Sequence, residues 1–168
     1  MSRQKANLNL TVTRRYRFAA SHRLHVASLS SDENKQLYGK CNNPYGHGHD
    51  YVLDITVEGA LDEVTGKLLP LAQLDKLVHS AVIRRFDRRN LNLDLPEFSR
   101  LVPTTENICL MIADLLNTRW SLAMPPRTRL ARIYIEETAR NSFEVLLPVT
   151  KPDEAPPAEA VERTTVHV

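Results

Sequence analysis

A chain of 168 residues, 42% apolar and 25% charged, can bury one sizeable core and has the composition of an ordinary globular protein. Its net charge of +2, with no dense Lys/Arg run interleaved with aromatics, argues against a general nucleic-acid binder, and its apolar stretches are too short to cross a bilayer. No apolar signal-peptide core lies near the N-terminus and the two cysteines make no disulfide framework, so a cytoplasmic protein with no membrane partner is expected.

Residues 1–7 are polar and read as a flexible N-terminus. In a first strand over 8–22, the even positions Leu8, Leu10, Val12, Arg14, Tyr16, Phe18 and Ala20 share one mostly apolar face, because alternate side chains of a strand point the same way. His22 closes that face. Residues 23–46 are polar and turn-rich and predict an irregular connection, of a length that is usually functional or mobile. Within it, Cys41 lies in a polar turn beside two histidines, a better place for chemistry than for packing. A second strand, over about 48–59, opens with His47 and His49 on the face of Tyr51, Leu53, Ile55 and Val57, while Asp54, Thr56 and Glu58 point the other way.

Residues 62–66 form a turn. Leu71, Leu74, Leu77, Val78, Ala81, Val82 and Phe86 then recur at helical spacing, with His79 off the apolar stripe and solvated. Thr104, after Pro103, is the N-cap of a second helix marked by Ile108, Met111, Ile112, Leu115 and Leu116, in which Cys109 is a packing residue. Alternating runs from Ala131 to Glu137 and from Phe143 to Val149 predict two closing strands. The order β-β-α-α-β-β makes an α+β domain over 8–150, with an antiparallel sheet and two helices on one face. Residues 151–168, rich in Pro, Glu and Ala, read as a disordered tail. The long strands leave edges to be paired, which closed homo-oligomers do between subunits.

Three neutral imidazoles from two strands, His22, His47 and His49, suit zinc held at about 2.0–2.1 Å with a fourth position open, the arrangement of catalytic zinc. Core histidines satisfied by hydrogen bonds are the alternative; the His-x-His pair, the third inward histidine and the nearby cysteine favour the metal. Glu137 falls on the Ile133/Ile135 face, where an inward carboxylate needs a partner. A planar heterocycle offering two parallel N–H groups is one such partner. A strand-end glutamate emerging into solvent fits the alternation equally well.

Four motifs carry a resemblance. Phe18-Ala19-Ala20-Ser21-His22-Arg23-Leu24, Gly39-Lys40-Cys41-Asn42-Asn43-Pro44-Tyr45-Gly46-His47-Gly48-His49-Asp50-Tyr51, Pro103-Thr104-Thr105-Glu106-Asn107 and Glu137-Thr138 resemble, in order, the 6-pyruvoyl-tetrahydropterin synthase family. The resemblance implies the tunnelling fold, whose subunits join their sheets into an oligomeric barrel and stack as a homo-hexamer, a dimer of trimers. It implies Zn2+ on His22, His47 and His49, and Cys41 as the catalytic base at the substrate side chain. Asp87 becomes part of a second proton-transfer unit, Glu137 the anchor of the pterin ring, and Thr104, Thr105 and Glu106 the lining of its pocket. The implied reaction is a lyase step: a small-molecule pterin, 7,8-dihydroneopterin triphosphate, loses triphosphate with no redox cofactor.

The chain departs from the family pattern at Arg88, where a histidine normally follows the aspartate. A guanidinium stays protonated and cannot shuttle a proton, so either another group donates or the reaction takes a different branch. Its charge would suit the triphosphate; the alternative is that Arg88 merely faces solvent. Asp50, where the family usually has Asn, is a smaller departure. Two other readings stand beside the synthase. One is a 6-carboxy-tetrahydropterin synthase-like enzyme of queuosine biosynthesis, although the five residues between Cys41 and His47 favour the pyruvoyl branch. The other is a non-catalytic pterin- or zinc-binding relative, against which Cys41, Asp87 and Glu137 stand.

Overall fold

The computed structural model describes residues 10–148, so the segments 1–7 and 151–168, expected to be flexible, lie outside the described residues. Strand β1 (Leu10–His22) pairs antiparallel with β2 (His47–Gly59), in a register that sets His22 opposite His47. On its other side β2 pairs with β4 (Thr128–Thr138), and β4 with β5 (Asn141–Leu146), both antiparallel. The short β3 (Arg89–Asn90) joins the free side of β1 in parallel, giving the order β3-β1-β2-β4-β5. The sheet is therefore mixed rather than wholly antiparallel. The chain reaches β3 only after a helical crossover, the connection that parallel pairing requires.

Alternation sorts the side chains as expected. Tyr16, Phe18, Ala20 and His22 are buried on one face of β1, while Thr11, Thr13, Arg15 and Arg17 are exposed on the other. β2, in the middle of the sheet, is buried on both faces from Tyr51 to Val57. Asp54 is tolerated there because the Arg15 guanidinium donates two parallel hydrogen bonds to it, each at 2.8 Å.

The apolar pattern over 71–86 folds as α2 (Leu71–Val78), a wider π turn (His79–Ile83) and α3 (Arg84–Phe86). His79 is exposed, with its ring edge-on to Tyr16 at 6.2 Å. After β3 comes α4 (Leu91–Asp94), and then α5 (Thr105–Ala123) under its Thr104 cap, whose hydroxyl accepts the Asn107 N–H at 3.3 Å. Pro125 and Pro126 bar any continuation. Ile108, Ile112 and Leu116 of α5 are fully buried in the core with Ile133 and Ile135, and each such aliphatic stabilises the fold by about 1.5–3 kcal/mol. Leu74, Leu77 and Val78 of α2 join the same core, as does Cys109. No helix of the described residues is long and apolar enough to cross a membrane.

The connection over 23–46 is not irregular throughout. It contains α1 (Ser31–Tyr38) and a 3-10 turn (Gly39–Asn42), so the order is β-α-β-α-α-β-α-α-β-β. Ser30 and Glu33 form a capping box: the Ser30 hydroxyl accepts the Glu33 N–H at 3.3 Å, and the Glu33 carboxylate accepts the Ser30 N–H at 2.8 Å. Asn34 is the one buried residue of α1, so no apolar stripe announces this helix.

Candidate active site

The register of β1 on β2 brings the three histidines together at one end of the apolar face. One ring nitrogen from each of His22, His47 and His49 lies within 4.8 Å of the others. His22 is only 1% exposed, and its Nδ1–H donates to the Pro103 carbonyl at 2.7 Å. A carbonyl can only accept, so the neutral ring presents its Nε2 lone pair inward, 3.2 Å from His47 Nε2. Burial first, and the neighbouring imidazoles after it, hold His22 below the ordinary histidine value, and burial does the same to His47. His49 Nε2 is buried with no hydrogen-bond partner among the described residues. The rings stand above a stacked Phe18–Tyr51 pair with centroids 5.0 Å apart, which stiffens the floor.

Glu137 meets this cluster from β4. Its Oε1 is 3.7 Å from His49 Nε2 and 3.9 Å from His22 Nε2, and it accepts a hydrogen bond from the Thr105 hydroxyl. Glu137 therefore points inward, the first of its two expected positions. Between Glu136 and Thr138 the β4–β5 register slips, making Glu137 the extra residue of a bulge, a device that re-aims a side chain.

Cys41 is partly exposed in the 3-10 turn and is fixed by its neighbours. Its carbonyl accepts the Leu24 N–H at 2.9 Å, and the Asn42 side chain donates to the Leu24 carbonyl at 2.7 Å. Asn34, inside α1, clips the same connection by exchanging bonds of 2.8 and 2.9 Å with the Val26 backbone. Gly46, at φ +69°, lets the turn close onto β1, since a Cβ there would sit 2.8 Å from the His22 carbonyl oxygen. Burial, and secondarily the charge of Glu137, push the Cys41 thiol above its ordinary value.

Of the other expected site residues, Thr105 is buried against Glu137, Thr104 is spent on capping α5, and Glu106 is exposed in the helix's first turn. Asp87 is not one of the converging ligand group: its Oδ1 accepts the Ala19 N–H at 2.9 Å at the edge of β1. Arg88 sits beside it at φ +59°, its side chain 89% exposed and 3.8 Å from Asp87. Asp50 is exposed on the outer face. The Pro103 carbonyl, which fixes the His22 tautomer, belongs to one of the quoted motifs, but no residue-type signal gives it that role.

A carboxylate beside three convergent imidazole nitrogens on an α+β sheet, with a cysteine in the turn that leads into β2, makes an enzyme-like site. The family model described as 6-pyruvoyl tetrahydropterin synthase matches residues 11–146. The chain belongs to that family. It is 42% identical over 130 residues to the 6-pyruvoyl tetrahydrobiopterin synthase of Poecilia reticulata, covering 77% of this chain and 85% of that one. To the Homo sapiens protein of the same name it is 48% identical over 103 residues, covering 61% and 71%. The solved Caenorhabditis elegans 6-pyruvoyl tetrahydropterin synthase superposes with a TM-score of 0.75 at 36% identity, covering 84% of this chain and 97% of that one.

Proposed function

We propose that the chain is a zinc-dependent 6-pyruvoyl-tetrahydropterin synthase that eliminates triphosphate from 7,8-dihydroneopterin triphosphate. The observation that carries this reading is the convergence of three imidazole nitrogens within 4.8 Å, with a carboxylate alongside. Two nitrogens held tetrahedrally by zinc lie about 3.3 Å apart; His22 and His47 stand at 3.2 Å with neutral rings, and His49 Nε2 is buried without a hydrogen-bond partner among the described residues. The donor set thus fits the metal, and His22 already donates its outer N–H to a carbonyl, as metal-bound histidines do. Bound there, zinc would supply positive charge that polarises substrate oxygens and offsets the burial and Glu137 charge that now disfavour the Cys41 thiolate.

The residues divide the remaining work. Glu137 accepts the parallel N–H groups of the pterin ring, held in aim by the Thr105 hydroxyl. Cys41 removes a proton from the substrate side chain, the electron pair left on carbon expels triphosphate, and further proton shifts give the pyruvoyl product. This makes the chain a carbon–oxygen lyase. Tunnelling-barrel assembly into a hexamer and a cytoplasmic location complete the reading. They are supported by the sheet's open edges and the two free cysteines, respectively.

Zinc content by elemental analysis, followed by incubation with 7,8-dihydroneopterin triphosphate and mass spectrometry, tests it. About one zinc per chain, triphosphate release and a pyruvoyl product are expected. Arg88 keeps the sister branch in view, and a carboxy product would assign the chain there. Bound zinc without release would identify a non-catalytic relative.

A further inference from the structure

A second recess opens beside His47, about 790 Å3 in volume and lined by Arg23, Lys35, Lys40, Asn42 and Asn43 among others. Three cations line it and no carboxylate does. Among the described residues, none of the three has an acidic partner within salt-bridge distance. They are nonetheless positioned. Asn92 clamps the Arg23 backbone with bonds of 2.8 and 3.0 Å, and the Arg23 guanidinium donates to the Asn42 carbonyl at 3.3 Å. Lys35 rides on α1 next to the clip made by Asn34, and Lys40 immediately precedes Cys41 in the 3-10 turn. Unneutralised cations around a concave surface focus a positive potential, and such a surface favours a polyanion over a single charge.

The rival cationic surface differs. The cleft of about 590 Å3 lined by Arg88 and Arg89 also contains Asp50 and Asp94, and Arg88 lies beside Asp87. Its charges are already balanced.

We infer that the recess of Arg23, Lys35 and Lys40, not Arg88, holds the substrate's triphosphate. This rests on the pterin-triphosphate reading above and assigns its phosphate subsite. His47 belongs both to the histidine cluster and to the recess wall. His49 likewise lines the Arg88/Arg89 cleft, so a substrate whose reacting carbons sit at the histidines adjoins both hollows, and it is the unbalanced charge of the recess past His47 that selects it for the phosphates. The leaving group is held where its charge is matched, on the same side of the sheet end as the Cys41 turn.

Calorimetric titration of the purified full-length protein with inorganic tripolyphosphate, and separately with unphosphorylated neopterin, tests the assignment. Lys35→Gln/Lys40→Gln should weaken tripolyphosphate binding about tenfold or more, leaving neopterin binding and the circular dichroism spectrum unchanged. Arg88→Gln should alter neither titration. If the double variant does not fold, each single variant should still cost about threefold. Equal tripolyphosphate affinity in wild type and double variant would overturn the inference, and an anion held only by a bound metal would give that result. Selective loss in Arg88→Gln, or no binding to wild type, would overturn it as well. A chain that binds tripolyphosphate in this way but releases none from the pterin substrate would instead refute the catalytic reading.

Discussion

Glu137 shows how much a single residue depends on its surroundings. Alternation along β4 puts it on the buried face, a register slip turns it toward His49, and the Thr105 hydroxyl fixes the carboxylate. A hydrogen bond to a charged group contributes about 1.5–3 kcal/mol, so Glu137→Gln should raise the KM for the pterin substrate roughly 10- to 100-fold. If Glu137 contacts the ring and not the reacting side chain, as proposed above, kcat should change far less and bound zinc not at all. Thr105→Val, which frees the carboxylate without removing it, should move KM in the same direction by a smaller factor. Steady-state kinetics with elemental analysis decide the matter; a kcat collapse at unchanged KM would place Glu137 in the chemistry instead. The inward position of this carboxylate was open in the sequence, because alternation says which face a residue occupies but not whether a strand end is covered. The histidines were legible for the opposite reason: each lies on a face whose apolar neighbours fix its direction.

At the scale of elements, the site is only as firm as the contacts that hold helices to the sheet. On the far part of the apolar face, Arg14 of β1 clasps Asp75 of α2 with two hydrogen bonds of 2.5 and 2.6 Å, and the Tyr16 hydroxyl adds a third at 2.9 Å. The Arg14 guanidinium holds the Asp75 carboxyl below its ordinary value of 3.8. The unfolded chain therefore takes up this proton more readily than the folded one. The stabilisation is complete above the ordinary value and is lost as pH falls through the lower folded one. Asp75→Asn should lower Tm at pH 7 by about 2–4 °C, and the gap to wild type should narrow toward pH 3. Thermal melts at both pH values test this, and a gap independent of pH would refute the clasp's charge-dependence. Elements of this kind were unevenly visible in the sequence. α5 and α2 announced themselves by apolar spacing, whereas α1 is polar on nearly every side and its one buried residue is Asn34. Its only sequence signal was the capping box of Ser30 and Glu33, which a search for apolar periodicity passes over. β3 escaped because two residues carry no period.

At the scale of the whole molecule, Asp87 lies outside the group of three histidines that converge within 4.8 Å. Asp87 lies on the edge of β1, bonded to the Ala19 backbone, while Cys41 is anchored at the Leu24 side of the sheet end. Among the described residues, β3 covers β1 only at Ala20 and Ser21, which leaves most of that edge open, and β5 leaves a second open edge across the sheet. Two different open edges on one subunit favour head-to-tail pairing, which closes into a ring when the rotation allows. Six chains of 19.1 kDa would give a particle of about 115 kDa by light scattering. In such a ring, the chain that meets the β1 edge is the one Asp87 can reach. If Asp87 serves the reaction, it then serves a neighbour's Cys41. Cys41→Ala and Asp87→Ala should each abolish triphosphate release when expressed alone. Co-expressed in equal amounts, they should restore about a quarter of wild-type activity, because a site is intact only when one chain supplies the thiol and its neighbour the carboxylate. No restoration in mixed particles verified by differential tags would mean that both groups act within one chain, and that the ring contributes shape but not chemistry.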